Sequence, residues 1–314
     1  MVLKRLVLLL VMVLLSACST ERSDDEFFAP GGADVLVVDA TMSVGKVFPD
    51  VYVTETLSPN QPFSYAAAGV LGATVTIEGG GSTMDYFGVG STQPGRYAPV
   101  SNSPVEGGVT YRLTVTVPDG RVVRASTTTP GPLRVREWVL LDSSGQNVLQ
   151  QLSTFDEFSG NEDTLYTLDE NQLTFGVGLL EVRLENDPAE GYLVGLQSLD
   201  LDSELLVDTS FLDDEDVDDF TRINQSPPFA ATQSYIRAPW FAIYYEGRYL
   251  VRVFKMDRNW YDLARTDPIL GAGGFGFGGE AGDNTTPPLF HVDGGVGLFG
   301  SLASDSIGFY VQAP

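Results

Sequence analysis

From Tyr111 to Val117 the chain alternates strictly: Tyr111, Leu113, Val115 and Val117 fall on one side, and Arg112, Thr114 and Thr116 on the other. A period of two places the apolar set on one face of a β-strand. Pro118-Asp119-Gly120 interrupts, and Arg121-Val122-Val123-Arg124-Ala125-Ser126 follows. Proline presets the turn and glycine accepts positive φ, so the two runs predict a hairpin. The same grammar recurs upstream. Val35 to Val38 reads as a buried run, Val47 to Leu57 as a strand broken near Pro49, and Ala73 to Ile77 as a strand that stops at Gly79-Gly80-Gly81. Tyr86-Phe87 and Tyr97 to Val100 flank the turn Gln93-Pro94-Gly95. About seven strands in roughly 100 residues predict an all-β fold that opens with an immunoglobulin-like β-sandwich over 34–131.

Thr127 to Pro132 reads as a linker, and strands resume beyond it as a second β-rich domain over 132–314. Thr174 to Glu185 and Tyr192 to Leu199 predict a pair joined through Asn186-Asp187-Pro188. Trp240 to Tyr245 and Arg248 to Phe254 predict a hairpin across Glu246-Gly247. Asp257 to Arg265 reads as a short helix, and Gly271 to Gly282 as a glycine-rich loop. Val296 to Phe299 and Ile307 to Val311 close the chain as strands.

The N-terminus carries an address. Lys4 and Arg5 precede an apolar run, Leu6 to Leu14, and then Leu15-Ser16-Ala17-Cys18. A charged start, a short apolar core and small residues form a secretory signal, too short to span a bilayer. The tetrapeptide resembles the lipobox of bacterial lipoproteins. That resemblance implies a signal peptide over 1–17, cleavage before Cys18, a diacylglycerol thioether on Cys18 and acylation of the new amino group. Two or three acyl chains anchor stably where one does not. Residues 18–33 are then the lipidated cysteine and a flexible tether. Ser19, followed by the acidic stretch to Glu26, resembles the signals that send lipoproteins to the outer membrane and its cell-surface face.

Charge narrows the partners. Asp and Glu number 42 against 18 Lys and Arg, for a net −24. Such a surface repels nucleic acid and anionic lipid, which both need basic patches. Scarce lysine with arginine retained reads either as a soluble acidic surface or as adaptation to high salt.

The chemistry-bearing residues are few. Cys18 is the only cysteine and His291 the only histidine. With Cys18 lipidated, a Cys-His pair is excluded. No Gly-x-Ser-x-Gly elbow accompanies His291, which reads as a strand-edge histidine. One histidine and no free cysteine leave no ordinary zinc site. Asp214, Asp216 and Asp218 alternate like a calcium loop, but Asp219 and Gln225 stand where an EF-hand needs glycine and glutamate. They read as an irregular calcium site or, more simply, a solvated acidic loop. Trp240, Phe241, Tyr244, Tyr245, Tyr249, Trp260 and Tyr261 crowd 22 residues. Trp240, Tyr244, Trp260 and Tyr261 could stack on a sugar or a partner, or simply fill a β-core. Phe275 and Phe277 in the glycine-rich loop are further contact candidates; no Lys-Ser/Thr makes that loop a phosphate cradle.

The order of short motifs also carries a resemblance. The lipobox is followed by Leu36-Val37-Val38-Asp39-Ala40, Gly72-Ala73-Thr74-Val75-Thr76-Ile77, Pro94-Gly95-Arg96-Tyr97, Gly107 to Val115, Pro118-Asp119-Gly120 and Gly294 to Gly300. This series resembles the bacterial lipoprotein family known as domain of unknown function 4249. The resemblance implies an outer-membrane location, often beside TonB-dependent receptors, and it implies no activity and no functional residues. The acidic stretch 208–219 and the glycine-rich loop read as departures from the family pattern. The expectation is a non-enzymatic, lipid-anchored partner- or ligand-binding accessory of a TonB-dependent transporter, with no cofactor beyond the lipid. The alternatives are a surface glycan- or peptide-binding module and, third, a carboxylate-based hydrolase.

Overall fold

The computed structural model describes residues 34–58, 61–133, 135–152, 171–185, 189–207, 222–226, 228–230, 234–238, 243–266 and 288–314. The first half supplies β1 (Leu36–Ser43), β2 (Val51–Glu55), α1 (Tyr65–Ala68), β3 (Thr74–Gly79), β4 (Ser82–Gly88), β5 (Arg96–Pro99), β6 (Thr110–Thr116) and β7 (Val122–Thr128). The second supplies β8 (Val135–Leu141), β9 (Val148–Leu152), β10 (Gln172–Thr174), β11 (Leu179–Leu184), β12 (Gly191–Ser198), β13 (Ile223–Gln225), β14 (Phe229–Ala230) and β15 (Tyr235–Ala238). It ends with β16 (Gly247–Met256), α2 (Arg258–Thr266), β17 (Val292–Asp293) and β18 (Val296–Gln312).

The fold is mostly β, with 55% of the described residues in strand and 6% in helix, so the class is as expected. The finer architecture differs. Among the described residues, one large mixed sheet has 14 strands, twelve of them along the path β13-β12-β16-β18-β1-β2-β5-β4-β3-β6-β7-β17, with β10 beside β18 and β14 beside β12 off that path, and β15-β11-β8-β9 form a small antiparallel sheet. No immunoglobulin sandwich is identified among them. β1 to β7 lie along that single path, which returns β7 against β18.

Alternation explains which faces are buried. Along β1, Leu36, Val38, Ala40 and Met42 are buried, while Val37, Asp39, Thr41 and Ser43 face outward. The predicted hairpin of β6 and β7 forms, with Tyr111, Leu113 and Val115 in the core. A first core gathers Val38, Val53, Ile77, Tyr97, Leu113, Val123 and their neighbours with Phe299 of β18. A second gathers Trp138, Leu180, Val194, Val251, Ile307 and Val311 with theirs. Burying side chains of this size contributes about 1.5–3 kcal/mol each.

The first and last strands meet. β18 runs parallel to β1 from Val296–Val37 to Leu302–Ser43, then antiparallel to β16 through Val311. Gly297 has φ +113°, and a Cβ there would collide with the Val38 carbonyl; only glycine lets the strands approach. Two pairings differ from expectation. β11 lies between β8 and β15 in the small sheet, whereas β12 pairs with β16, β13 and β14 in the large one. Of the hairpin expected at Glu246-Gly247, residues 240–242 lie outside the described residues; in the described part, Leu206 N–H donates to the Tyr244 carbonyl and Glu246 N–H to the Glu204 carbonyl before β16 begins. Those backbone groups are satisfied by 204–206 and so are not free to bond β16. The two closing strands are one continuous strand, β18. The short helix near Asp257 is present as α2.

Candidate functional site

The outer face of β1 is where chemistry gathers. Asp39 lies opposite Tyr52, and Val37 opposite Thr54, so all four share one face. Glu55, Thr56 and Leu57 extend that surface, and Phe63 and Tyr65 stand over it, enclosing a cleft of about 320 Å³. Tyr65 packs on Tyr52 with ring centroids 5.4 Å apart, and Phe63 meets Tyr65 edge-on at 5.3 Å. Phe63 is 64% exposed and Tyr65 47%, so the aromatic wall faces solvent.

The supports of this wall come from the short motifs singled out in the sequence. Ser64 caps α1 by accepting from the Ala67 N–H at 3.2 Å. Gly69 ends α1, and a Cβ there would strike the Pro94 carbonyl. The Val70 N–H donates to the Val53 carbonyl, and the Val53 N–H donates to the Gly95 carbonyl. The Tyr97 hydroxyl accepts from the Ala73 N–H at 2.9 Å and donates to the Val70 carbonyl at 2.8 Å. Pro94-Gly95-Arg96-Tyr97 and Gly72-Ala73 thus pin α1 beside β2. Leu36 to Ala40 supplies Asp39 itself, and Gly294 to Gly300 lies alongside, with Leu298 in register with Asp39.

The two carboxylates differ. Glu55 is tied to Arg121, which also bonds Asp119 and the Asp34 carbonyl. Among the described residues, Asp39 has neither a cation nor a hydrogen-bond donor on its carboxyl; the residue is exposed, and crowding by the neighbouring side chains alone raises its pKa. An unpartnered carboxyl with a shifted pKa in an aromatic-walled cleft has the marks of a binding site.

A larger cleft, about 410 Å³, lies between 126–130 and the start of α2. Its buried carboxyl is occupied. Asp257 accepts from the Trp260 N–H at 2.9 Å and from the Thr127 hydroxyl, which also meets the Ser301 hydroxyl at 2.7 Å. Burial raises the Asp257 pKa, and these hydrogen bonds oppose the rise. This network caps α2 and ties it to β7 and β18.

Of the residues nominated from sequence, Cys18, Asp214, Asp216, Asp218, Trp240, Phe275 and Phe277 lie outside the described residues, as do the signal and tether over 1–33. The other three aromatics make contacts with separate neighbours. The Trp260 indole donates to the Thr41 hydroxyl at 3.0 Å, two residues along β1 from Asp39. Tyr261 lies so close to Gly191 that a Cβ there would overlap its ring. Tyr244 meets Tyr245 edge-on at 6.5 Å. His291 precedes β17 and pairs with Asp262 at 2.9 Å, where Arg258 and Arg265 also converge. Burial opposes ionisation of Asp262, but the Arg265 and His291 hydrogen bonds and the arginine charges hold its pKa below the usual range. Among the described residues, no group of His, Cys, Asp and Glu could hold a metal, and no helix is long and apolar enough to cross a membrane. Tyr52, Phe63 and Tyr65 were not nominated from sequence. Their spacing has no period, and only the α1 turn brings them together.

A family model described as "Domain of unknown function (DUF4249)" matches residues 24–277. The chain belongs to that family. The DUF4249 match includes every residue lining the aromatic cleft and ends before β18. No curated protein matches this DUF4249 chain. Among solved structures, it is similar to one described as "Structural insight into host cell surface retention of a 1.5-MDa bacterial ice-binding adhesin". That likeness has 11% identity and covers 90% of this chain and 66% of the other, just under two thirds of its length. Its TM-score is 0.20, too low to bear on the fold of this DUF4249 member.

Proposed function

We propose that this protein is a lipid-anchored outer-membrane binding protein that takes a small ligand in the β1–β2 cleft and acts beside a TonB-dependent transporter. The observation that carries the binding reading is the cleft itself: an unpartnered Asp39 under the aromatic wall of Tyr52, Phe63 and Tyr65. The anchor reading rests on Leu15 to Cys18, and the surface-facing reading on the acidic residues after it. Binding is favoured over hydrolysis because Glu55, the second carboxylate of the cleft, is already engaged by Arg121. A pair of acids free to work across one bond is the signature of glycoside hydrolysis.

Affinity capture of the full lipidated chain from detergent-solubilised outer membrane tests the location and the partner together. Recovery of a TonB-dependent transporter with wild type, and release of the chain into the soluble fraction by Cys18→Ala, are the expected results. Capture of no membrane protein, or undiminished membrane association of Cys18→Ala, overturns the reading.

A further inference from the structure

We infer that the β1–β2 cleft recognises an organic cation, an ammonium or guanidinium group carried on a short apolar stem. This rests on the binding reading above and names its ligand class.

The donor and acceptor inventory of the lining decides the class. Among the described residues, the cleft holds Asp39, Glu55, tyrosine and threonine hydroxyls and apolar side chains, with no Lys, Arg, His, Asn or Gln in its lining. An ammonium or guanidinium head only donates hydrogen bonds, and this lining is rich in acceptors. A sugar presents acceptors as well as donors, and the described part of the wall offers only hydroxyls, without amide or guanidinium donors, to meet them. An anion would meet two carboxylates and no cation.

Energetics favour the same class. The Asp39 carboxyl, exposed on the outer face of β1, lines the cleft with no counter-charge among the described residues. A cation supplies that counter-charge and a neutral ligand does not. The Phe63 and Tyr65 rings add cation–π attraction, stronger for a weakly hydrated organic cation than for a compact ion. Arg121, which bonds Glu55 but does not line the cleft, leaves Asp39 as the main anchor. The net charge of −24 raises the local concentration of any cation. A volume near 320 Å³ suits a ligand at the small end of the usual range.

The test is calorimetric titration of the full lipidated chain in neutral detergent with choline, putrescine, an acetyl-Gly-Arg-Gly-amide peptide, glucose and glutarate. Saturable binding of choline or putrescine is expected if the ligand is a free amine. Binding of the arginine peptide alone identifies a side chain of a protein partner; both outcomes support the inference. Asp39→Asn should weaken the bound cation about tenfold or more, and Phe63→Ala, at an exposed position, about threefold. Glu55→Gln should matter less than Asp39→Asn. Glucose binding that survives Asp39→Asn overturns the cation while leaving a binding cleft. Cation binding unaffected by both Asp39→Asn and Phe63→Ala overturns the site. No binding by any of the five overturns the inference, and the capture experiment then still judges the broader reading separately.

Discussion

Tyr86 turns inward from β4, and its hydroxyl is buried without a hydrogen-bond partner among the described residues. Burial, and then the nearby Asp50 charge, push its pKa well above the ordinary phenol range. A buried polar group left unpaired costs about 1–3 kcal/mol, so Tyr86→Phe should leave the fold unchanged or stabilise it by about 1 kcal/mol. Urea unfolding measures this directly, and a loss of more than about 1 kcal/mol would reveal a partner for the hydroxyl. Asp39 is the functional counterpart: an unpaired polar group, but one that opens onto a cleft. Its outward position follows from the alternation of Leu36, Val38 and Ala40 with Val37, Asp39 and Thr41. That it lacks a partner is not legible in the same way, since this depends on which side chains β2 and α1 bring over it. Tyr97 was legible only as a strand residue, yet its hydroxyl holds the segment that positions the aromatic wall.

At the scale of elements, α2 is the clearest case of a local signal with a distant consequence. Asp257 precedes the helix and caps it through the Trp260 N–H, as an aspartate at that position should. Asp257→Ala should destabilise the protein by about 1 kcal/mol, with Asp257→Asn retaining most of the cap. The pH dependence separates cap from charge. Burial raises the folded pKa of Asp257 above its unfolded value, near 3.9. Its favourable contribution is therefore complete below the unfolded pKa and is lost as pH rises through the folded pKa. Across that window, stability measured by urea unfolding should shift in favour of Asp257→Asn relative to wild type. A constant difference across the series would mean that the Asp257 pKa is unshifted. Strand pairing shows the opposite relation. β11 and β12 were each legible as apolar runs, but their partners were not, because pairing depends on contacts far along the chain. The middle of β18 is interrupted by the small and polar Ser304-Asp305-Ser306, and so two strands were expected where one passes between β1 and β16.

For the whole molecule, charge and topology set the terms. Carboxylates outnumber basic residues by 42 to 18, and self-repulsion opposes the compact state. Screening shortens from about 8 Å at physiological ionic strength to about 3 Å at 1 M, so the thermal midpoint should rise with sodium chloride across that range. A flat or falling midpoint in a calorimetric series would show that local ion pairs, such as those of Arg121, Arg183 and Arg265, outweigh the global repulsion. The amino-acid sequence by itself determined the β class, the turns built on Pro and Gly, the buried face of β6, the short helix after Asp257 and the acidic surface. These follow from period, turn chemistry and charge, which act between near neighbours. Val35 to Val38 read as a continuous buried run, whereas Val35 is exposed and only Leu36 and Val38 are buried. Tertiary structure alone decided that β1 and β18 share a sheet, that β11 and β12 separate, and that Tyr52, Phe63 and Tyr65 meet over Asp39. Each of those joins residues whose proximity depends on loop closure and on the packing of two cores, information that no local pattern holds.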